Sequence, residues 1–85
     1  IGKDSWYRVI CNEEITFDQG HTGFLSAFCM GDMAYGVYEE GLKYALCDAV
    51  LRKEYPVGVS NEFVGKESRV SVREGMLLLV GENKE

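Results

Sequence analysis

Arg69-Val70-Ser71-Val72-Arg73-Glu74-Gly75-Met76-Leu77-Leu78-Leu79-Val80 decides the fold class. Side chains alternate between the two faces of a strand, so Val70 and Val72 share an inward face while Arg69, Ser71 and Arg73 share a wet one. Glu74-Gly75 is a turn signal. The unbroken apolar run Met76 to Val80 that follows predicts a strand buried on both sides. Two strands joined by a tight turn, one with a solvated face, belong to a layered β architecture.

The neighbouring segments extend this reading. Phe24 to Cys29 is apolar on both faces except at Ser26, as for a strand inside a sandwich, and Gly31-Asp32 closes it. Ala34 to Tyr38 is a further strand of aromatic and small residues. Towards the start, Tyr7, Val9 and Cys11 fall on one face, and Ile15 and Phe17 resume the two-residue period after Asn12-Glu13-Glu14, which predicts an opening hairpin. Asp18 to Gly23 supplies turn chemistry, and Gly81 to Glu85 is expected to fray. One stretch runs against the pattern: Leu42, Ala45, Leu46, Ala49, Val50 and Lys53 follow the spacing of an amphipathic helix, which Gly41 near its start weakens by about 1 kcal/mol relative to alanine.

Composition agrees with an all-β domain. With 85 residues the chain forms one domain, since a chain this short buries only roughly 60 to 65% of its unfolded surface. Ten glycines against one proline, with five tyrosines and four phenylalanines, suit short strands and turns. The formal charge of −5 comes from acids interspersed with bases, and no cluster of Lys or Arg matches a row of phosphates, so nucleic acid is not expected as a partner. No run approaches the ~18 apolar residues of a membrane helix, and no secretory signal opens the sequence, so neither membrane insertion nor secretion is expected. Ile1 opens the chain, as in an excised or processed domain. Cys11, Cys29 and Cys47 stand eighteen residues apart, too far for a metal knuckle or redox pair; they read as three small reduced core residues, in keeping with a cytoplasmic address.

Common catalytic motifs do not fit. Six residues separate Gly58 from Gly65, and Glu67 follows Lys66, so the phosphate-binding loop is not formed, and no GxG begins a dinucleotide fingerprint. His21, the only histidine, reads as a solvated turn residue. Glu13-Glu14 and Glu39-Glu40 read as solvated edges or turns, because adjacent strand residues face opposite ways.

The segment EGLKYALCDAVLRKEYPVGVSNEF, Glu40 to Phe63, resembles the thiamin-binding region of thiamin pyrophosphokinases, which carry a GLKYPL-like element followed by an SNEF element at this spacing. The similarity continues through Val64 to Val80 and loosely back to about Tyr7. It implies a jelly-roll-like β-sandwich of short antiparallel strands, with Asp48 to Lys53 extended. Ala45 stands where the family has proline, so a rigid restraint is lost and a helical course stays open. The family transfers pyrophosphate from ATP to thiamin with Mg2+, and holds nucleotide and metal in an amino-terminal α/β catalytic domain that is not in this sequence. The resemblance therefore implies substrate recognition, in a homodimer, by a domain inactive on its own. The position of Tyr44 holds the aromatic residue that packs on thiamin, and Ser60-Asn61 match a polar pair lining the same pocket. A flat cationic ring suits an aromatic face, and hydroxyl and amide groups suit an aminopyrimidine edge. Gly41 would permit close backbone approach, and Leu42 would supply an apolar wall. Two other readings stand beside this one, a β-sandwich that serves only dimerisation and a free-standing small-ligand module.

Overall fold

The structure, a computed structural model, describes residues 5–53 and 61–82, and every regular element in them is extended. Eight strands follow one another: β1 Ser5–Cys11, β2 Glu14–Phe17, β3 Phe24–Cys29, β4 Met33–Glu40, β5 Leu46–Arg52, β6 Asn61–Glu62, β7 Ser68–Glu74 and β8 Met76–Glu82. They pair antiparallel in two four-stranded sheets, ordered β1-β8-β3-β6 and β2-β7-β4-β5. Each successive strand of the first half thus pairs with one of the second half: β1 with β8, β2 with β7, β3 with β6 and β4 with β5. The result is a long two-stranded ribbon folded back and forth between two sheets, which is the jelly roll.

The opening hairpin expected from Tyr7 to Phe17 is not formed, because β1 and β2 lie in different sheets. Asn12 is the corner between them. It takes a left-handed backbone (φ 51), its N–H donates to the Gly75 carbonyl at 3.0 Å, and its Oδ1 accepts from the Gly75 N–H at 2.8 Å. Gly75, at φ 127, is the matching corner between β7 and β8, so both strands of the ribbon change sheets together.

The core lies between the sheets. Val70 and Val72 point into it with Ile10, Leu25, Ala27, Val37, Leu51, Leu77 and Leu79. The run Met76 to Val80 departs from its reading: Leu77 and Leu79 are buried, but Leu78 and Val80 are only half-buried on the outer face, and the strand continues through Gly81 and Glu82. Tyr7 and Val9, 69% and 46% exposed, flank them on β1 in register with Val80 and Leu78. The face shared by Tyr7, Val9 and Cys11 is therefore the outer one. The cysteines are not core residues either, since Cys11 and Cys47 are exposed and Cys29 is half-buried; all three are free thiols.

The helical spacing of Leu42 to Lys53 has a local explanation. Asp48 adopts φ 52, and the pairing of β5 with β4 shifts register around it, the mark of a β-bulge. The extra residue carries Leu46, Ala49 and Leu51 to the core side, a three-then-two spacing that imitates a helix. Among the described residues no helix is long and apolar enough to cross a membrane.

Candidate functional site

At the end of β4 the chain leaves its sheet through Gly41, which sits at φ 77 in the left-handed region. A Cβ there would run into the Glu67 carbonyl oxygen and lie 2.9 Å from Ser68 Cα, so only glycine lets β4 turn this close to the backbone entering β7. The next residues run beside β6: Leu42 bridges Phe63, and the Lys43 N–H donates to the Glu62 carbonyl at 2.9 Å. Leu42 and Phe63 are buried, and Phe63 packs edge-to-face with Phe17 and tilted against His21, both at ring-centroid distances of 5.4 Å. His21, read as a solvated turn residue, is instead half-buried in this aromatic cluster, its Nδ1 3.1 Å from Asp18 Oδ1.

Where direct strand pairing ends, a side chain takes over. The Asn61 carboxamide pairs with the Tyr44 backbone as a peptide group would: its Oδ1 accepts from the Tyr44 N–H at 2.9 Å, and its Nδ2 donates to the Tyr44 carbonyl at 2.6 Å. Oδ1 also accepts from the Glu62 N–H at 2.9 Å, and Nδ2 also donates to Glu39 Oε1 at 2.6 Å. All four hydrogen-bonding positions of the amide are used within the chain, with donors on one side and acceptors on the other, which fixes its orientation. Asn61 is buried, while Tyr44 is 59% exposed. The backbone of Tyr44 is thus locked and its ring is presented to solvent, with Lys43 Nζ 5.5 Å from the ring centroid and 3.7 Å from Glu62 Oε1.

Glu39 corrects the reading of Glu39-Glu40 as a solvated pair. Adjacent strand residues do face opposite ways, but that sends Glu40 outward to Arg69 Nη2 at 2.7 Å and Glu39 inward, where it is 1% exposed. Burial pushes its carboxyl from 4.5 up to about 7, against the pull of the Asn61 hydrogen bond. Among the described residues nothing hydrogen-bonds Glu39 Oε2. Glu13 and Glu14 are exposed, as read.

Of the candidate residues, Tyr44, Asn61, Gly41 and Leu42 therefore meet at one edge of the sandwich, and Ser60 lies outside the described residues. Sequence reasoning missed Glu39, Lys43 and Phe63. The alternation of Val37 and Glu39 was the only signal for the first, and a register shift in β4 before Val37 obscures it. The surface also carries a polar recess of Thr16, Glu40, Gly41, Glu67, Ser68 and Arg69, and an open groove along Trp6, Ile15, Phe17 and His21. Neither encloses the Tyr44 ring. Among the described residues no group of three or more His, Cys, Asp or Glu side chains is placed to hold a metal ion, so the Mg2+ implied by the resemblance has no fitting donor set among them.

These features define a jelly-roll domain, with eight strands among the described residues and an aromatic platform held on a short ledge. Comparison with known proteins assigns it further. The family described as thiamin pyrophosphokinase, vitamin B1 binding domain, matches residues 12–77, and the chain belongs to that family. A search of curated proteins gives no significant match. Among solved structures, thiamine pyrophosphokinase from Bacillus subtilis superposes with a TM-score of 0.85 at 15% identity over 95% of this chain and 39% of its own. Thiamin pyrophosphokinase from Geobacillus thermodenitrificans gives 0.81 at 18% identity over 95% of this chain and 38% of its own. A protein from Lactobacillus plantarum gives 0.71 at 20% identity, with coverage of 95% and 39%. The chain thus spans about two fifths of the length of these structures, and the likeness establishes the shared fold.

Proposed function

We propose that this chain binds thiamin on the Tyr44 platform and serves as the substrate-recognition lobe of a thiamin pyrophosphokinase. The observation that carries the proposal is the Tyr44 ring, exposed on a backbone fixed by Asn61, in the element where the family places its thiamin-packing aromatic residue. A cationic heteroaromatic ring gains from an aromatic face, and Leu42 and Phe63 form an apolar base beneath the ledge. Gly41 and Leu42 shape the ledge, Ser60 stands beside Asn61 in sequence, and Asn61 acts by holding Tyr44 in place. ATP and Mg2+ binding and pyrophosphate transfer are functions of the whole protein, assigned to an α/β domain that closes over the open side of Tyr44 in a cytoplasmic enzyme. That the ring lies open supports this division, since small-molecule sites usually enclose most of their ligand.

A homodimer is the second part of the proposal. It is favoured by the apolar outer face of the β1-β8-β3 sheet, where Tyr7, Val9, Phe24, Phe28 and Met76 are exposed. Calorimetric titration with thiamin tests the first part: weak saturable binding is expected, reduced about tenfold by Tyr44→Ala. Equal affinity in both proteins would remove Tyr44 from the site. Sedimentation tests the second, where a monomer at high micromolar concentration would contradict it.

A further inference from the structure

Among the described residues, Glu39 is the only charged side chain that is fully buried, and its place in the network is specific. A carboxyl in a β-sandwich core is costly unless its oxygens are paired, and here one oxygen has a single partner, Asn61 Nδ2, while the other has none among the described residues. Ionised, or protonated on Oε2, this group offers Oε1 as an acceptor to the Asn61 NH2. Together with the Tyr44 carbonyl it holds the donor end of the amide, and so keeps Oδ1 turned towards the Tyr44 and Glu62 N–H groups. Two hydrogen bonds separate the carboxyl from the backbone that carries the ring.

We propose that Glu39 is the positioning residue of the aromatic platform, orienting Tyr44 through Asn61, and that it releases its proton when a cationic ligand docks on the Tyr44 ring. The proton-release half rests on the thiamin-binding reading; the positioning half does not. Its register partners on β5 and β7, Leu46 and Val70, are uncharged, as is Asn61 on β6. The nearby charges are turned elsewhere, Glu40 to Arg69 and Lys43 to Glu62. A ligand cation is then the main new charge that Glu39 would meet, and it favours the ionised form. The balance is simple: the ligand binds, and up to one proton leaves Glu39 for solvent.

The size of the effect follows from linkage. With the free carboxyl at about 7, a ligand that brings it to about 6 or below raises thiamin affinity about five- to tenfold between pH 6 and pH 8. The experiment is a pH series on the 85-residue chain, followed by amide NMR without ligand and by calorimetry with thiamin. In the wild type the Tyr44 backbone amide and the Asn61 side-chain NH2 should titrate together near neutrality. In Glu39→Gln, a neutral isostere, both signals should be flat with pH, and so should thiamin affinity. Should that variant not fold, the carboxyl carbon of Glu39 in the wild type reads the same coupling, its midpoint moving down on addition of thiamin. Identical pH dependence in wild type and Glu39→Gln, or a carboxyl midpoint unmoved by bound thiamin, overturns the inference while leaving the binding proposal standing. A pH-dependent shift of the Tyr44 backbone amide in the wild type but not in Glu39→Gln, in a protein that binds no thiamin at any pH, supports the positioning role and strikes out the binding proposal.

Discussion

Replacing Asn61 with alanine removes four hydrogen bonds at once, and their surroundings set the cost. The bond to Glu39 ends on a carboxyl 1% exposed, so water cannot replace it without a cavity; losing a buried bond to such a group costs about 1.5 to 3 kcal/mol. The other three end on the Tyr44 N–H, the Tyr44 carbonyl and the Glu62 N–H, on residues that solvent reaches, where each loss costs about 0.5 kcal/mol. Asn61→Ala should therefore lose about 3 to 4.5 kcal/mol, more at pH 8 than at pH 5 because Glu39 is then charged, and its thermal midpoint should fall by roughly 12 to 36 °C. Urea and thermal unfolding followed by circular dichroism measure this directly. Thiamin affinity should fall with it, since Tyr44 would no longer be held. A loss below about 1 kcal/mol would refute the view that this amide is the clasp between the ledge and the sandwich.

Tyr44→Ala should behave in the opposite way, changing stability by less than about 1 kcal/mol because the ring is 59% exposed, while weakening thiamin binding about tenfold in calorimetry. Gly41→Ala should cost about 2 to 4 kcal/mol in urea unfolding, combining left-handed backbone strain with a Cβ driven against Glu67 and Ser68; a neutral result would mean that β4 and β7 can part there. For Glu39 the folded carboxyl holds its proton up to about 7, whereas an unperturbed carboxyl loses it near 4.5, so stability should fall as pH rises through that window and stay low above it, by at most roughly 3 kcal/mol. Glu39→Gln lacks this term and should gain on the wild type between pH 5 and pH 8; parallel urea midpoints across that range would contradict it.

The strand content was legible wherever alternation was clean. Val70 and Val72 announced both their strand and its inward face, and Phe24 to Cys29 coincides with β3. Three features were hidden for physical reasons. A bulge at Asp48 stretched the period of β5 into a helix-like spacing, which only the resemblance to a known family overruled. The jelly-roll corners at Asn12 and Gly75 look in sequence like ordinary hairpin turns, because nothing local states which sheet the next strand will join. Glu39 was hidden because composition argues against an acid in a core, and its partner lies 22 residues away. For the candidate site, the sequence placed Gly41, Leu42, Tyr44 and Asn61 in two motifs, and the fold brings those motifs together. It also gives Asn61 a task the motif did not show: its hydrogen bonds are spent on the protein.

The central claim is that the ledge formed by Gly41 to Tyr44 and Asn61 to Phe63 receives thiamin, and amide chemical-shift mapping of the chain during titration with thiamin tests it most directly. With the platform open to solvent, the dissociation constant should be on the order of 1 mM. Saturable shifts concentrated at Gly41, Leu42, Lys43, Tyr44, Glu62 and Phe63 are expected, and their loss in Tyr44→Ala. Saturable shifts confined to the groove of Trp6, Phe17 and His21, or none with thiamin at ~10 mM, would contradict it.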